Sequence, residues 1–199
     1  MSSTDYEKAI DHILGRLRDE LSPQLTFHNL SHTQNDVLPA GRKLARLAGL
    51  PGEETRLLEV AAAYHDSGYL EICDGHEQVS IQIASATLPG FGFTPAQVQR
   101  VIRLILATQV PQCPCDLMEE ILVDADLDVL GREDFFERNE ALRQELTNMG
   151  MEISRRQWLE EQISFLQTHS YFTQAARDLR ELGKQKHIEQ LRAVLTKCQ

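Results

Sequence analysis

Leu57-Leu-Glu-Val60-Ala-Ala-Ala-Tyr64-His65-Asp66-Ser-Gly68 is the stretch on which the reading of this chain turns. Residues 54–64 carry Leu57, Leu58, Val60, Ala61 and Tyr64 with few polar residues between them. That pattern reads as a mostly buried helix. It runs straight into His65 and Asp66, two side chains able to hold a metal. Polar groups at the end of a buried helix are costly unless paired or liganded. Neighbouring residues can both reach one ion if the helix ends there and the backbone relaxes. Taken alone, the dipeptide also fits a capped helix end with a satisfied histidine.

Helical spacing continues on both sides. Residues 6–21 set Tyr6, Ile10, Ile13, Leu14, Leu17 and Leu21 on one face. Val98, Val101, Ile102 and Ile105 repeat in the same way, as do Leu117, Ile121 and Leu122. No segment alternates with period two between hairpin turns. Breaks fall at Gly49-Leu-Pro-Gly52, Pro89-Gly-Phe-Gly92 and Pro111-Gln-Cys-Pro114, and Thr94-Pro95 is a cap followed by proline at the first helical position. Pro39 marks a kink or a boundary. Residues 133–197 read as three further helices, with Trp158, Ile163, Phe165 and Leu166 on apolar faces and packing as their role. With no long linker and no repeat, the expectation is all-α: a single all-helical domain over residues 1–199.

The 199 residues are 42% hydrophobic and 25% charged, which suits a globular chain and neither a disordered nor a membranous one. No run approaches the ~20 apolar residues that span a bilayer. The first eight residues are polar and acidic and do not read as a signal peptide, so a cytoplasmic location is expected. The net charge of −10 argues against nucleic-acid polymers, which are bound mainly through Lys and Arg. A small phosphate ester remains open, because a bound cation can supply local positive charge. Of Cys73, Cys113, Cys115 and Cys198, only Cys113-Pro-Cys115 is clustered. No second pair completes a zinc motif, so reduced thiols are expected.

Two more segments bear on chemistry. In Phe27-His28-Asn29-Leu30-Ser31-His32-Thr33, His28 and His32 are four apart and would share a face of a helix. One could ligate a metal while the other faces a substrate; a surface pair is the alternative. In Ile121-Leu-Val-Asp124-Ala-Asp126-Leu-Asp128-Val-Leu-Gly131, Asp124 and Asp128 share a helical face and Asp126 points elsewhere, amid apolar neighbours. A buried carboxylate needs a cation or donors. A solvated acidic face suits Asp124 and Asp128 better.

In chain order, His32, His65-Asp66 and Asp126 resemble the H…HD…D signature of the HD superfamily of metal-dependent phosphohydrolases. The contexts Ala-Ala-Tyr-His65-Asp66-Ser-Gly68-Tyr and Val-Asp-Ala-Asp126-Leu look like that family's helix end and last-ligand segment. The resemblance covers residues 25–147 and implies an HD-domain helical bundle there, with a C-terminal helical extension over 148–199. It implies His32, His65, Asp66 and Asp126 as metal ligands. Such a set leaves open positions on an octahedral Mn²⁺, Fe²⁺ or Mg²⁺. Phe27-His28-Asn29-x-x-His32 is also similar to the His-Asn-x-x-His segment of class I cyclic-nucleotide phosphodiesterases, which implies His28 as general acid. Imidazoles as a class exchange protons near neutral pH. A cyclic-nucleotide substrate does not follow from so short a stretch.

His76, in Gly75-His76-Glu77, stands where binuclear relatives place another histidine. It could ligate a second metal, hold phosphate, or simply begin an exposed helix. Two departures stand out. Ile105-Leu-Ala-Thr108-Gln109 lacks the further histidine of binuclear members. Tyr69 replaces the lysine of a His-Asp-x-Gly-Lys pattern, leaving Arg42, Arg103 or Arg143 as substitutes or as surface charges.

The resemblance implies a hydrolase of phosphate mono- or diesters, of a small nucleotide or related metabolite. Asp66 would orient or deprotonate water, His28 would protonate the leaving group, and His76 would assist. The rival is a non-catalytic HD signalling or scaffold module that binds metal. An HD-type di-iron oxygenase needs more histidines than are present. Expected partners are a small phosphate ester and no nucleic-acid polymer or membrane, with a homo-oligomer left open.

Overall fold

The computed structural model describes residues 4–197; the first three residues of the polar N-terminal stretch and Cys198 lie outside them. Among the described residues all regular structure is helical. α1 spans Tyr6–Glu20, α2 Leu38–Leu47, α3 Gly52–Tyr64, α4 His76–Thr87, α5 Pro95–Ala107, α6 Leu117–Asp126, α7 Phe135–Asn148, α8 Arg155–Thr168 and α9 Gln174–Lys197. None of them is long and apolar enough to cross a membrane.

α3 lies at the centre. Its residues Leu57, Leu58 and Val60 through Tyr64 are all buried, and α1, α2, α5 and α6 pack around it. A helix apolar on nearly every side can satisfy that only by being enclosed. α1 presents Ile10, Ile13, Leu14 and Leu17 to α3, and Asp5 caps it by accepting from the Lys8 amide at 3.1 Å. α5 begins with the full capping box of Thr94 and Gln97, with Pro95 at its first turn. Cys73, Cys113 and Cys115 are free and exposed.

Of the two readings of Pro39, the boundary holds: α2 begins one residue before it. The chain from His32 to Val37 is a π turn, in which the Leu38 amide reaches back to the Thr33 carbonyl, and it passes into α2 with Pro39 in the first turn. Proline is tolerated there because first-turn amides have no partner within their own helix. In α6, Leu117 is exposed, and its neighbour Met118 packs inward instead.

Two expectations about the acidic segment are overturned. Asp124 and Asp128 form no solvated face; both are buried. Asp124 accepts from the Phe172 amide at 2.8 Å and from the Thr173 amide and hydroxyl, each at 2.7 Å. Asp128, in a short 3₁₀ turn after α6, pairs with Arg180 through two bonds of 2.6 and 2.8 Å. These carboxylates anchor the start of α9 to the core. The same crossing needs glycine. A Cβ on Gly131 would stand 2.2 Å from the Arg180 carbonyl oxygen, and one on Gly183 would stand 2.2 Å from that of Gly131. Helical spacing alone could not reveal this, because the donors lie about fifty residues further along the chain.

Candidate metal centre and adjoining cavity

α3 stops at His65, and Asp66 leaves helical geometry with φ −101° and ψ 9°. That turn brings both side chains to one point: His65 Nε2 lies 3.2 Å from Asp66 Oδ2. His65 Nδ1 stands 2.8 Å from the Ala62 carbonyl oxygen, to which only a protonated nitrogen can bond. The neutral ring therefore presents a lone pair at Nε2. His32 opens the π turn, whose entry is held by Asn29: its Oδ1 accepts from the Ser31 and His32 amides at 2.9 and 3.3 Å. His32 Nε2 lies 3.2 Å from Asp126 Oδ1 and 3.5 Å from Asp66 Oδ2, and His65 Nε2 lies 3.4 Å from Asp126 Oδ1. Asp126 reaches the cluster from the last residue of α6.

His32, His65 and Asp66 form a group that could hold a metal ion. Two observations agree with that, and Asp126 adds a fourth candidate ligand atom, its Oδ1, beside it. First, His65 Nε2 and Asp66 Oδ2 are buried without a hydrogen-bond partner. Buried polar atoms in that condition ask for a ligand. Second, ligands about 2.1 Å from an octahedral ion stand roughly 3 Å from their neighbours around it, and the separations here run from 3.2 to 3.5 Å. The electrostatics also favour a cation. Burial opposes charge on His65, yet Asp66 and Asp126 outweigh it and raise its pKa well above the ordinary value. Burial would raise Asp66 and Asp126, but the surrounding imidazoles hold both below the usual carboxylate range.

Asp66 has a second face. Its Oδ1 lies 3.2 Å from His76 Nε2, while His76 Nδ1 stands 3.2 Å from the Cys73 carbonyl oxygen. Burial disfavours charging His76, and the bond to Asp66 more than offsets it, so its pKa is raised. His76 is thus no plain exposed helix start. Gly68 permits the approach: a Cβ there would stand 1.9 Å from the His76 carbonyl oxygen. Tyr69, at the position of the lysine in the resembled pattern, contacts two imidazoles, whose own ring centroids are 6.3 Å apart. Its ring stacks on His28 with centroids 4.5 Å apart and on His76 at 4.0 Å.

His28 sits in a bend before the π turn and not on a helix shared with His32. Its partner is Glu145 of α7, whose Oε1 lies 2.5 Å from His28 Nδ1 and whose Oε2 accepts from the Phe27 and His28 amides at 2.7 and 2.9 Å. Burial would raise the Glu145 pKa, and the bonds from His28 outweigh it and lower it. α7 therefore does more than pack, contrary to the expectation for residues 133–197. Nothing in the local sequence marks Glu145, which reads as one more charged residue on a polar helix.

The cluster opens into a cavity of about 400 Å³, whose lining includes His28, Asp66, Tyr69, His76 and Asp126. Thr108 lines it where a further histidine was sought, its hydroxyl donating to the Ile105 carbonyl. None of the three arginines considered as lysine substitutes does so. Arg42 pairs with Glu59 at 2.8 Å, Arg103 with Glu119 at 2.9 Å, and Arg143 with Glu140 at 3.1 Å. Arg138, which the sequence did not single out, is the arginine on the lining.

The all-helical fold has a solved counterpart. The crystal structure of a predicted HD superfamily hydrolase from an uncultured Thermotogales bacterium superposes with a TM-score of 0.65 at 20% identity, covering 100% of this chain and 97% of that one. The likeness establishes the HD-type helical fold for this chain. No protein-family model and no curated protein matches it.

Proposed function

We propose that the chain is a metal-dependent hydrolase of the HD superfamily acting on a phosphate mono- or diester. One observation carries the reading: His28, braced from behind by Glu145, lines the same cavity as Asp66 and Asp126 of the cluster, with its ring 5.9 Å from that of His32. A scaffold needs the cluster at most, and has no use for an imidazole braced by a buried carboxylate at its edge.

His32, His65, Asp66 and Asp126 would hold the ion. A divalent ion, Mn²⁺, Fe²⁺ or Mg²⁺, lowers the pKa of water and withdraws charge from phosphoryl oxygens. Asp66 serves two purposes: Oδ2 belongs to the cluster, and Oδ1, beside His76 Nε2, can orient water and take its proton. Glu145 holds His28 by Nδ1, which leaves Nε2 to give a proton to the departing ester oxygen. Water's oxygen bonds to phosphorus, the ester P–O bond breaks, and its electron pair leaves on the oxygen that His28 protonates. His76, stacked on Tyr69, assists by fixing Asp66. A small nucleotide or related metabolite fits this chemistry.

The test is a panel of phosphate esters presented to the purified, metal-supplemented chain, with the His28→Ala variant alongside. Turnover that depends on added metal and falls in the variant supports the reading. Metal binding with no turnover of any ester favours the non-catalytic module.

A further inference from the structure

The cavity is markedly uneven in charge. The reacting end holds His28, Asp66, His76 and Asp126. Beyond it the walls are apolar, with Leu130, Phe135, Leu142 and Phe165 among them. Among the described residues Arg138 is the one lysine or arginine on the lining; it shares Asp36 with Arg132, and its Nε and Nη2 are buried without a hydrogen bond. Its guanidinium lies 2.8 Å from Asp36 Oδ2 and 5.1 Å from the centre of the Phe27 ring. Glu77 and Glu161 are the charged groups that remain on the lining. A di- or triphosphate needs cationic partners along its length. Here it would meet two carboxylates, Glu77 and Glu161, against a single guanidinium that already faces Asp36.

The far end has a defined polarity. The Trp158 indole N–H can only donate, and it donates to Asn139 Oδ1 at 2.9 Å. That fixes the Asn139 carboxamide, whose Nδ2 donates to Gln162 Oε1 at 2.5 Å. The orientation of Gln162 follows. Its Nε2 donates to no protein group among the described residues, and Gln162 lines the cavity. The far end therefore offers a donor.

Resting on the proposed function for the placement of the phosphoryl group, we propose that the ligand carries a single phosphoryl group on an uncharged, mostly apolar body with a hydrogen-bond acceptor at its far end. The metal cluster takes the phosphoryl group, the apolar walls take the body, and Gln162 takes the acceptor. Selection works by both attraction and exclusion: a second phosphate is repelled by the lining that welcomes the body.

The test uses the full chain with Mn²⁺. Trp158 is the sole tryptophan and is bonded to the far-end network, so its emission reports occupancy. Titration compares 2-phenylethylphosphonate with methylphosphonate, neither of which has an ester bond to hydrolyse. The ring compound should bind roughly 10–100-fold tighter, as burial of a phenyl group predicts. Phe165→Ala, a partly exposed wall position, should shrink that ratio while leaving methylphosphonate unchanged. A ring bearing a carbonyl should gain further in the natural chain and lose that gain in Gln162→Leu. Turnover is measured in parallel on 2-phenylethyl phosphate, glycerol phosphate and MgATP. Equal affinity for the two phosphonates, or kcat/KM for MgATP at or above that for 2-phenylethyl phosphate, overturns the proposal. The expected phosphonate ratio with no ester turned over supports this ligand class and defeats the hydrolase reading; turnover without preference for the ring does the reverse.

Discussion

Glu145 holds His28 by side chain and backbone together: one carboxylate oxygen lies 2.5 Å from Nδ1, and the other accepts the His28 amide at 2.9 Å. The two residues are 117 positions apart in the chain. The carboxylate fixes the ring and directs its other nitrogen toward the cavity. Glu145→Gln keeps an acceptor for the amides but places an NH₂ opposite the protonated Nδ1. Carboxylates that brace an imidazole contribute about 10–100-fold, so kcat should fall by that order with metal content unchanged. An unaltered kcat in this variant would remove Glu145 from the catalytic account.

The same pair makes stability depend on pH. Glu145 titrates below its ordinary 4.5 in the folded chain, because the bonds from His28 outweigh its burial. A carboxyl group with a depressed folded pKa binds its proton more readily when unfolded. Its contribution to stability is therefore fully present above pH 4.5 and lost as pH falls through the lower folded value. Urea unfolding between about pH 3 and 6, roughly the range over which carboxyls titrate, should show a steeper acid loss in the natural chain than in Glu145→Gln. Parallel curves would argue against this linkage.

His32→Ala and Asp126→Ala should each reduce bound metal sharply, since each removes one of four converging side chains. Metal analysis of the purified variants measures this directly. Added Mn²⁺ should raise the melting temperature of the natural chain, because a ligand that binds only the folded state stabilises it. The shift should vanish in both variants. Natural metal content in either one would exclude that residue as a ligand.

His28→Ala should keep its metal and lose turnover. A positioned general acid contributes ~10²–10⁴-fold, so kcat for an alkyl ester should drop by that order. The loss should be much smaller for a nitrophenyl ester, whose leaving group needs little protonation. Equal losses on the two esters would mean that His28 acts in some other way.

Asp124→Ala should destabilise the fold while leaving the metal cluster in place. It strands the Phe172 and Thr173 amides and the Thr173 hydroxyl, in a site where Asp124 itself is fully buried. Losing a buried acceptor of this kind costs about 2–4 kcal/mol. Chemical denaturation measures it, and a change under 0.5 kcal/mol, roughly the level of a surface substitution, would contradict the anchoring role.

The sequence by itself determined that the chain is helical and where its centre lies. The apolar run from Val60 to Tyr64 leaves the C-terminal half of α3 no polar face, so that half must be enclosed. His65 and Asp66 stood out locally as polar groups at the end of that run, where burial without partners is costly, but alone they also fitted a capped helix end, and the family resemblance was needed to read them as ligands. Asp126 was legible in the same way, as a carboxylate among apolar neighbours. Asp124 and Asp128 were misread because periodicity reports which residues share a face and not what lies opposite. Only the tertiary structure supplied Phe172, Thr173 and Arg180 as their partners, and turned a solvated face into an anchor. It alone also brought Glu145 to His28, Tyr69 against two imidazoles, and the bonded Asn139 and Gln162 amides to the cavity wall. Each of these pairings joins groups with no local signal, and a hydrogen bond or a ring stack is decided by distances that exist only once the helices have packed.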